Sequence, residues 1–116
     1  MTTDTAFIAS ADAVLGAIGA ALDSALADSD SDVDWSLNDG ILEIECADGS
    51  KLIVNRHVPN REIWVAARSG GFHFRARAGS WRDTRSDGEL AAQVTRLLRE
   101  QAGLAVDLTG LPPPAN

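Results

Sequence analysis

Residues 28 to 34 read Asp28-Ser29-Asp30-Ser31-Asp32-Val33-Asp34, four carboxylates at every second position. Carboxylate oxygens are hard ligands, so this spacing invites hard cations such as Fe³⁺, Ca²⁺, Mg²⁺ and Mn²⁺ rather than soft metals. The opening matches the D-x-D-x-D start of a calcium-binding EF-hand loop. Its sixth position, which needs glycine, holds Val33, and its twelfth, which needs a bidentate glutamate, holds Asp39, so that assignment fails. If a strand begins near residue 32, Asp32 and Asp34 project from one face roughly 6.6–6.8 Å apart. Two unit charges at that separation repel by about 0.6 kcal/mol in water and about 2.5 kcal/mol at an effective dielectric of 20. Asp23, Asp28 and Asp30 add to the same field. Residues 1–50 hold eleven acids and no Lys or Arg, so no near neighbour in the chain neutralises them. A cluster without an internal counterion suggests an external one. A water-rich site with no enclosing loop binds weakly and with little selectivity, on the order of 10⁻⁵–10⁻³ M.

Other reactive side chains are few. His57 and His73 are the two histidines and Cys46 is the one cysteine. Cys46 alternates with Leu42 and Ile44, which marks it as a small core residue rather than a nucleophile. The chain has no G-x-S-x-G, P-loop or H-E-x-x-H motif, so nucleophilic, phosphate-cradling and zinc-protease chemistry have no signature. His57, two residues before Pro59, reads as a loop residue. His73 lies between Phe72 and Phe74 and falls on the solvent face if those rings are buried. Trp64 sits between Ile63 and Val65, and either parity can be core. If Ile63 and Val65 face inward, Trp64 stands on the open sheet near Asn55, a position suited to partner binding.

The elements that must position these residues follow from periodicity. Phe7, Ala11, Val14, Leu15, Ile18, Leu22 and Leu26 make one helical stripe over residues 5–27, with Thr3 or Asp4 as cap and a sparse opposite face of Asp12, Gly16, Gly19 and Asp23. The period then drops to two. Val33, Trp35 and Leu37 point inward on a first strand, Asn38-Asp39-Gly40 makes a hairpin turn, and Ile41–Cys46 returns with Glu43 and Glu45 outward. Asp48-Gly49 turns into a third strand over 51–56, followed by strands at 62–67, 71–77 and around Trp81. Ser86-Asp87-Gly88-Glu89 fits a capping box for a helix over about 87–102, with Leu90, Val94, Leu97 and Leu98 as its buried stripe and Gly103 at its end. Leu104, Val106 and Leu108 read as a tail across the core. Short turns force antiparallel pairing. The expected fold is an α+β two-layer sandwich, with N- and C-terminal helices on one face of an antiparallel sheet.

The whole chain is one domain's worth: 116 residues, net charge −7, 45% apolar and 23% charged. That excludes disorder by composition, and a single cysteine excludes a disulfide framework. An ordered core of about 5–108 and a proline-rich tail over 110–116 are expected. All ten bases and the other six acids lie after residue 50, so the molecule is electrically lopsided. Its negative half repels nucleic acid and anionic lipid and attracts cations or a basic protein surface. No apolar run of about 20 residues is evident and no basic signal region precedes the first helix. A cytoplasmic protein, with neither nucleic acid nor membrane as partner, is expected.

The run Asp48-Gly-Ser-Lys-Leu-Ile-Val-Asn-Arg-His-Val-Pro59, then Glu62-Ile-Trp-Val-Ala66, Gly70-Gly-Phe-His-Phe74 and Trp81-Arg-Asp-Thr-Arg85, resembles the frataxin family in its bacterial form. The resemblance spans residues 5–108. It implies the helix–sheet–helix sandwich already expected. It also implies an iron-binding regulator of iron–sulfur cluster assembly that takes Fe²⁺ and Fe³⁺ weakly on an acidic ridge, where other hard divalent cations can substitute. By position the ridge falls on Asp23, Asp28, Asp30, Asp32 and Asp34, with Glu43 and Glu45 at its edge. Docking on the cysteine desulfurase and the iron–sulfur scaffold protein is implied for Asn55, Trp64 and His73. A monomer with iron-dependent oligomers is implied as well. Two alternatives accompany this reading: a ferroxidase oxidising Fe²⁺ to Fe³⁺, and a pure protein–protein regulator whose metal binding is incidental. The chain departs from the family pattern where Gly19, Ala20 and Ser24 replace helix carboxylates, where Ser36 replaces an acid, and where His57 stands in place of a common Gln. His57 and His73 could add nitrogen ligands for iron or a haem.

Overall fold

The computed structural model describes residues 4–114, so the Thr3 cap lies outside the described residues. Helix α1 (Asp4–Ala27) is followed by six strands, β1 (Asp34–Asn38), β2 (Ile41–Glu45), β3 (Lys51–His57), β4 (Glu62–Ala67), β5 (Gly70–Arg77) and β6 (Ser80–Asp83), and then by helix α2 (Leu90–Leu97). A π-turn over Leu98–Ala102 extends α2. The six strands form one sheet in sequence order, every neighbour antiparallel. This is the two-layer α+β sandwich that the sequence implies.

The turns follow from local chemistry. Asp39 and Gly40 both have positive φ, 48° and 77°, the conformation that a two-residue hairpin loop between Asn38 and Ile41 requires. Ala78 and Gly79, at φ 53° and 81°, repeat the device between β5 and β6. At Gly40 a Cβ would also meet the Arg56 guanidinium at 2.5 Å. Arg56 instead bonds Asp12 of α1 and Asp39 of this turn, tying helix to sheet.

The core lies between the helices and one sheet face. Leu15, Ile18 and Leu22 of α1 meet Leu42, Ile44, Leu52, Val54, Ile63 and Phe74, with Leu90, Val94, Leu97 and Leu98 completing the layer. Leu104, Val106 and Leu108 are buried against it. By length and composition α1 could cross a bilayer, a feature the stripe analysis overlooked because Asp12 and Asp23 interrupt the run. Its Phe7–Leu22 stripe is buried in the core.

Three local expectations are corrected. The first strand starts at Asp34, not near 32, because β2 stops at Glu45 and the Cys46 N–H turns away to the Ser50 carbonyl. Residues 29–33 therefore have no strand to pair with. The second helix starts at Leu90, and the capping box does not form: Ser86 Oγ accepts from the Gly88 N–H, and Glu89, the N-cap, makes no side-chain cap. Gly19 is not on the open side of α1 but buried, with the Trp35 ring against it.

Candidate functional site

The acidic residues singled out in the sequence gather at the β1 edge of the sheet and its approach. Asp23 sits in the last turns of α1, where no basic residue offsets the negative end of the helix dipole. Its Oδ1 accepts the Trp35 indole N–H at 2.9 Å. Asp28, Asp30 and Asp32 are exposed along the connection, and Val33 between them and the strand is buried. On the open face of the sheet Asp34 stands directly opposite Glu45, a like-charge cross-strand pair that costs stability. Glu43 is the one member paired to a base, Lys51 at 3.3 Å. Three further bases of the later half pair elsewhere: Arg56 with Asp12 and Asp39, Arg61 with Asp4, Arg68 with Asp48. Among the described residues the side chains of Asp28, Asp30, Asp32 and Glu45 have no ion pair or hydrogen bond. Nor do any three carboxylate, His or Cys side chains among the described residues converge into a metal cage. The rim is an open string of carboxylates, each able to offer one or two oxygens.

Beside the rim, the open face carries a row in register. Ile41, Asn55, Trp64 and His73 are successive cross-strand partners on β2, β3, β4 and β5. Burial of Ile63 and Val65 resolves the parity of Trp64 in favour of the open face. Ile41 is 48% exposed, the one large apolar side chain so placed among the described residues. His57, expected in a loop, is the last residue of β3 and half-buried, because Glu62 pairs with it across β4 and extends the ladder.

Glu62, which sequence reasoning passed over as the start of a strand, lies beneath this row with its side chain 4% exposed. It accepts the Trp64 indole N–H at 2.8 Å and the Arg75 guanidinium at 2.7 Å, with His73 Nδ1 3.7 Å away. Burial by itself raises the pKa of this carboxyl. The hydrogen bonds from Trp64 and Arg75, with the charges of Arg75 and His73, outweigh that and hold it below its usual range. Alternation was the available signal: Glu62 and Trp64, two apart on one strand, share a face. The arrangement offers an acidic rim able to attract a cation or a basic surface, next to a rigid polar–aromatic plate suited to protein contact.

A family model described as a frataxin-like domain matches residues 1–104. An iron–sulfur cluster assembly protein CyaY from Dechloromonas aromatica is 51% identical over 106 residues, covering 90% of this chain and 97% of its own. Among solved structures, the frataxin from Psychromonas ingrahamii, of the CyaY protein family, superposes with a TM-score of 0.83 at 30% identity, covering 93% of this chain and 99% of its own. The trimeric frataxin of Saccharomyces cerevisiae, solved in complex with ferrous iron, gives a TM-score of 0.70 at 25% identity, covering 81% and 86%.

Proposed function

The chain belongs to the frataxin-like family, and from that premise we propose that it is an iron-carrying regulator of iron–sulfur cluster assembly. Iron is its cargo, held weakly on the rim formed by Asp23, Asp28, Asp30, Asp32, Asp34, Glu43 and Glu45. The observation that carries the reading is the sparse internal compensation at that rim: Asp34 faces Glu45 across two strands, only Glu43 is paired to a base, and among the described residues Asp28, Asp30 and Asp32 have no partner. A cation lowers the repulsion, and its affinity for the folded chain adds to stability. Relatives named for iron–sulfur cluster assembly and a yeast frataxin complexed with ferrous iron support the same assignment.

An open rim that donates one or two oxygens per residue holds a hard cation on the order of 10⁻⁵–10⁻³ M, so Mn²⁺ or Mg²⁺ at high concentration displaces iron. Docking on the cysteine desulfurase and its scaffold uses the same field for approach and the row of Asn55, Trp64 and His73 for contact, in the cytoplasm. Iron and the desulfurase therefore compete. The apo chain is a monomer because its rims repel, and iron that neutralises them permits self-association. The test is NMR of the apo protein titrated with ferrous iron without oxygen. Signals of residues 20–45 should shift or broaden first, and an Asp30→Asn/Asp32→Asn/Asp34→Asn variant should lose the effect. Diffuse changes across the sheet, or a triple variant that binds iron unaltered, would remove the rim from the function.

A further inference from the structure

At the far end of the sheet from the acidic rim, β5, β6 and the loop leading to α2 enclose an open groove of about 320 Å³. Four arginines line it, Arg75, Arg77, Arg82 and Arg85, against two acids, Asp83 and Asp87. This is a local excess of positive charge on a chain whose net charge is −7. Each guanidinium carries five donors, and few are used. Arg75 gives one to Glu62, Arg77 one to Asp87, Arg85 one to the Gly71 carbonyl, and Arg82 two, to Ser80 and the Asp87 carbonyl. The two acids differ. Asp83 is buried, and its Oδ1 accepts the backbone N–H groups of Arg85 and Ser86, so it is spent on holding the loop. Asp87 is exposed, sits at φ 64° and lays its carboxylate on Arg77.

We propose that this arginine groove is a docking site for an acidic peptide segment of a partner protein, with Asp87 as an internal carboxylate that holds part of it until the partner's carboxylates displace it. The occupant is chosen by the donors. A small phosphate seeks a nest of free backbone N–H groups. Every backbone N–H from Asp83 to Gly88 already has an acceptor: Gly88 and His73 carbonyls for Asp83 and Thr84, Asp83 Oδ1 for Arg85 and Ser86, the Asp83 carbonyl for Asp87, and Ser86 Oγ for Gly88. Only side-chain forks remain, spread over two strands and a loop, and planar forks match successive carboxylates. A nucleic acid would meet the unscreened rim of the same small chain. The site is separate from the acidic rim and gives the molecule a second, oppositely charged contact for a different partner surface.

The test is fluorescence anisotropy of a fluorescein-labelled hexaglutamate peptide titrated with the whole protein at low salt. Binding should saturate and weaken as salt rises. Arg77→Ala/Arg82→Ala should weaken it about tenfold, while Arg77→Lys/Arg82→Lys, which keeps the charge, should recover part of it. Asp87→Asn, which tolerates the same left-handed backbone, should tighten it about threefold. Arg99→Ala, on the π-turn after α2, should leave it unchanged. Far-UV circular dichroism checks that each variant is folded. Absence of saturable binding, equal loss with Arg99→Ala, or indifference to both Arg77/Arg82 variants overturns the proposal. So does displacement of the peptide by inorganic phosphate at matched concentration, or tighter binding of a single-stranded oligonucleotide.

Discussion

His57 and Trp64 lie face to face, ring centroids 3.6 Å apart and planes 9° from parallel, and His73 stacks on Trp64 at 4.3 Å from the strand on the other side. Both faces of the indole are thus covered, and its N–H is fixed to Glu62. In the proposed docking, a partner would meet the edge of a three-ring plate whose rotamers are already set, so less side-chain entropy would be lost. Each stacked pair adds about 0.5–1.5 kcal/mol beyond burial. Trp64→Ala should therefore cost about 1–3 kcal/mol in urea unfolding and abolish desulfurase binding in a pull-down. Trp64→Phe should keep most of the stability and lose the bond to Glu62. Docking that persists undiminished in Trp64→Ala would remove the plate from the interface.

The depressed pKa of Glu62 gives stability a pH dependence with a definite sign. A carboxyl whose folded pKa lies below its unfolded value of about 4.3 binds protons more readily when unfolded. Stability is then fully present above the unfolded pKa and is lost as pH falls through the folded one. In wild type the unfolding free energy should drop below about pH 4.5, and Glu62→Gln should remove part of that drop. At pH 7 the variant should be less stable by about 1–3 kcal/mol, since a buried amide replaces a charge-assisted acceptor. Asp48 offers a marker outside the site: hydrogen bonds from the Ser50 side chain and backbone and from Arg68 lower its pKa to about 2. Carbon NMR of the side-chain carboxyls should show Asp48 titrating well below the usual aspartate range. A Glu62→Gln variant with the wild-type acid slope would place the acid sensitivity elsewhere.

How much of this was legible in the sequence depends on whether the signal was local. Val33, Leu42, Ile44 and Cys46 were placed by two-residue alternation, and all are buried. Asp39-Gly40 announced its own turn. Trp64 was undecidable, because Ile63 and Val65 flank a bulky residue and only the packing of α1 and α2 against the sheet chooses the inward side. His57 was misplaced because Pro59 signals a break but not how far the ladder with Glu62 reaches. Asp32 was misplaced because a strand ends where its partner ends, at Glu45, a fact held by residues thirteen positions on. The four arginines of the groove gave no signal at all, since they come together only when β5, β6 and the loop after them fold.

The rim is expected to trade stability for cation binding. Asp34 and Glu45 are directly opposed, and the aspartates before the strand have no counterion among the described residues. Asp30→Asn/Asp32→Asn/Asp34→Asn should raise the apo melting temperature by a few degrees at low salt, on the scale of about 4–8 °C per kcal/mol for a domain near this size. The gain should shrink as ionic strength rises and the Debye length falls to about 8–10 Å. Added Mn²⁺ should raise the wild-type melting temperature and leave the variant's unchanged. Differential scanning calorimetry with and without the ion separates the two. A variant that melts at or below wild type in low salt would show that the carboxylates are not in conflict.

Two glycines of α1 should respond to alanine with opposite signs, and the difference tests how the helix is seated on β1. Alanine is favoured over glycine in a helix interior by about 0.8–1.0 kcal/mol. A Cβ at Gly16 meets nothing within 4 Å, so Gly16→Ala should stabilise by roughly that amount. At Gly19 a Cβ would lie 2.7 and 2.8 Å from two ring carbons of Trp35. The indole has little freedom to yield, because its N–H is held by Asp23 and its ring packs against the core. Overpacking of this kind costs about 1–3 kcal/mol, which exceeds the helix gain. Gly19→Ala should therefore destabilise, break the Trp35–Asp23 bond and shift Trp35 emission toward the red as the ring is levered outward. The same argument bars a carboxylate at position 19, so that place cannot contribute to the rim. Equal stabilisation at both positions would mean that α1 stands farther from β1 than the Gly19–Trp35 contact requires.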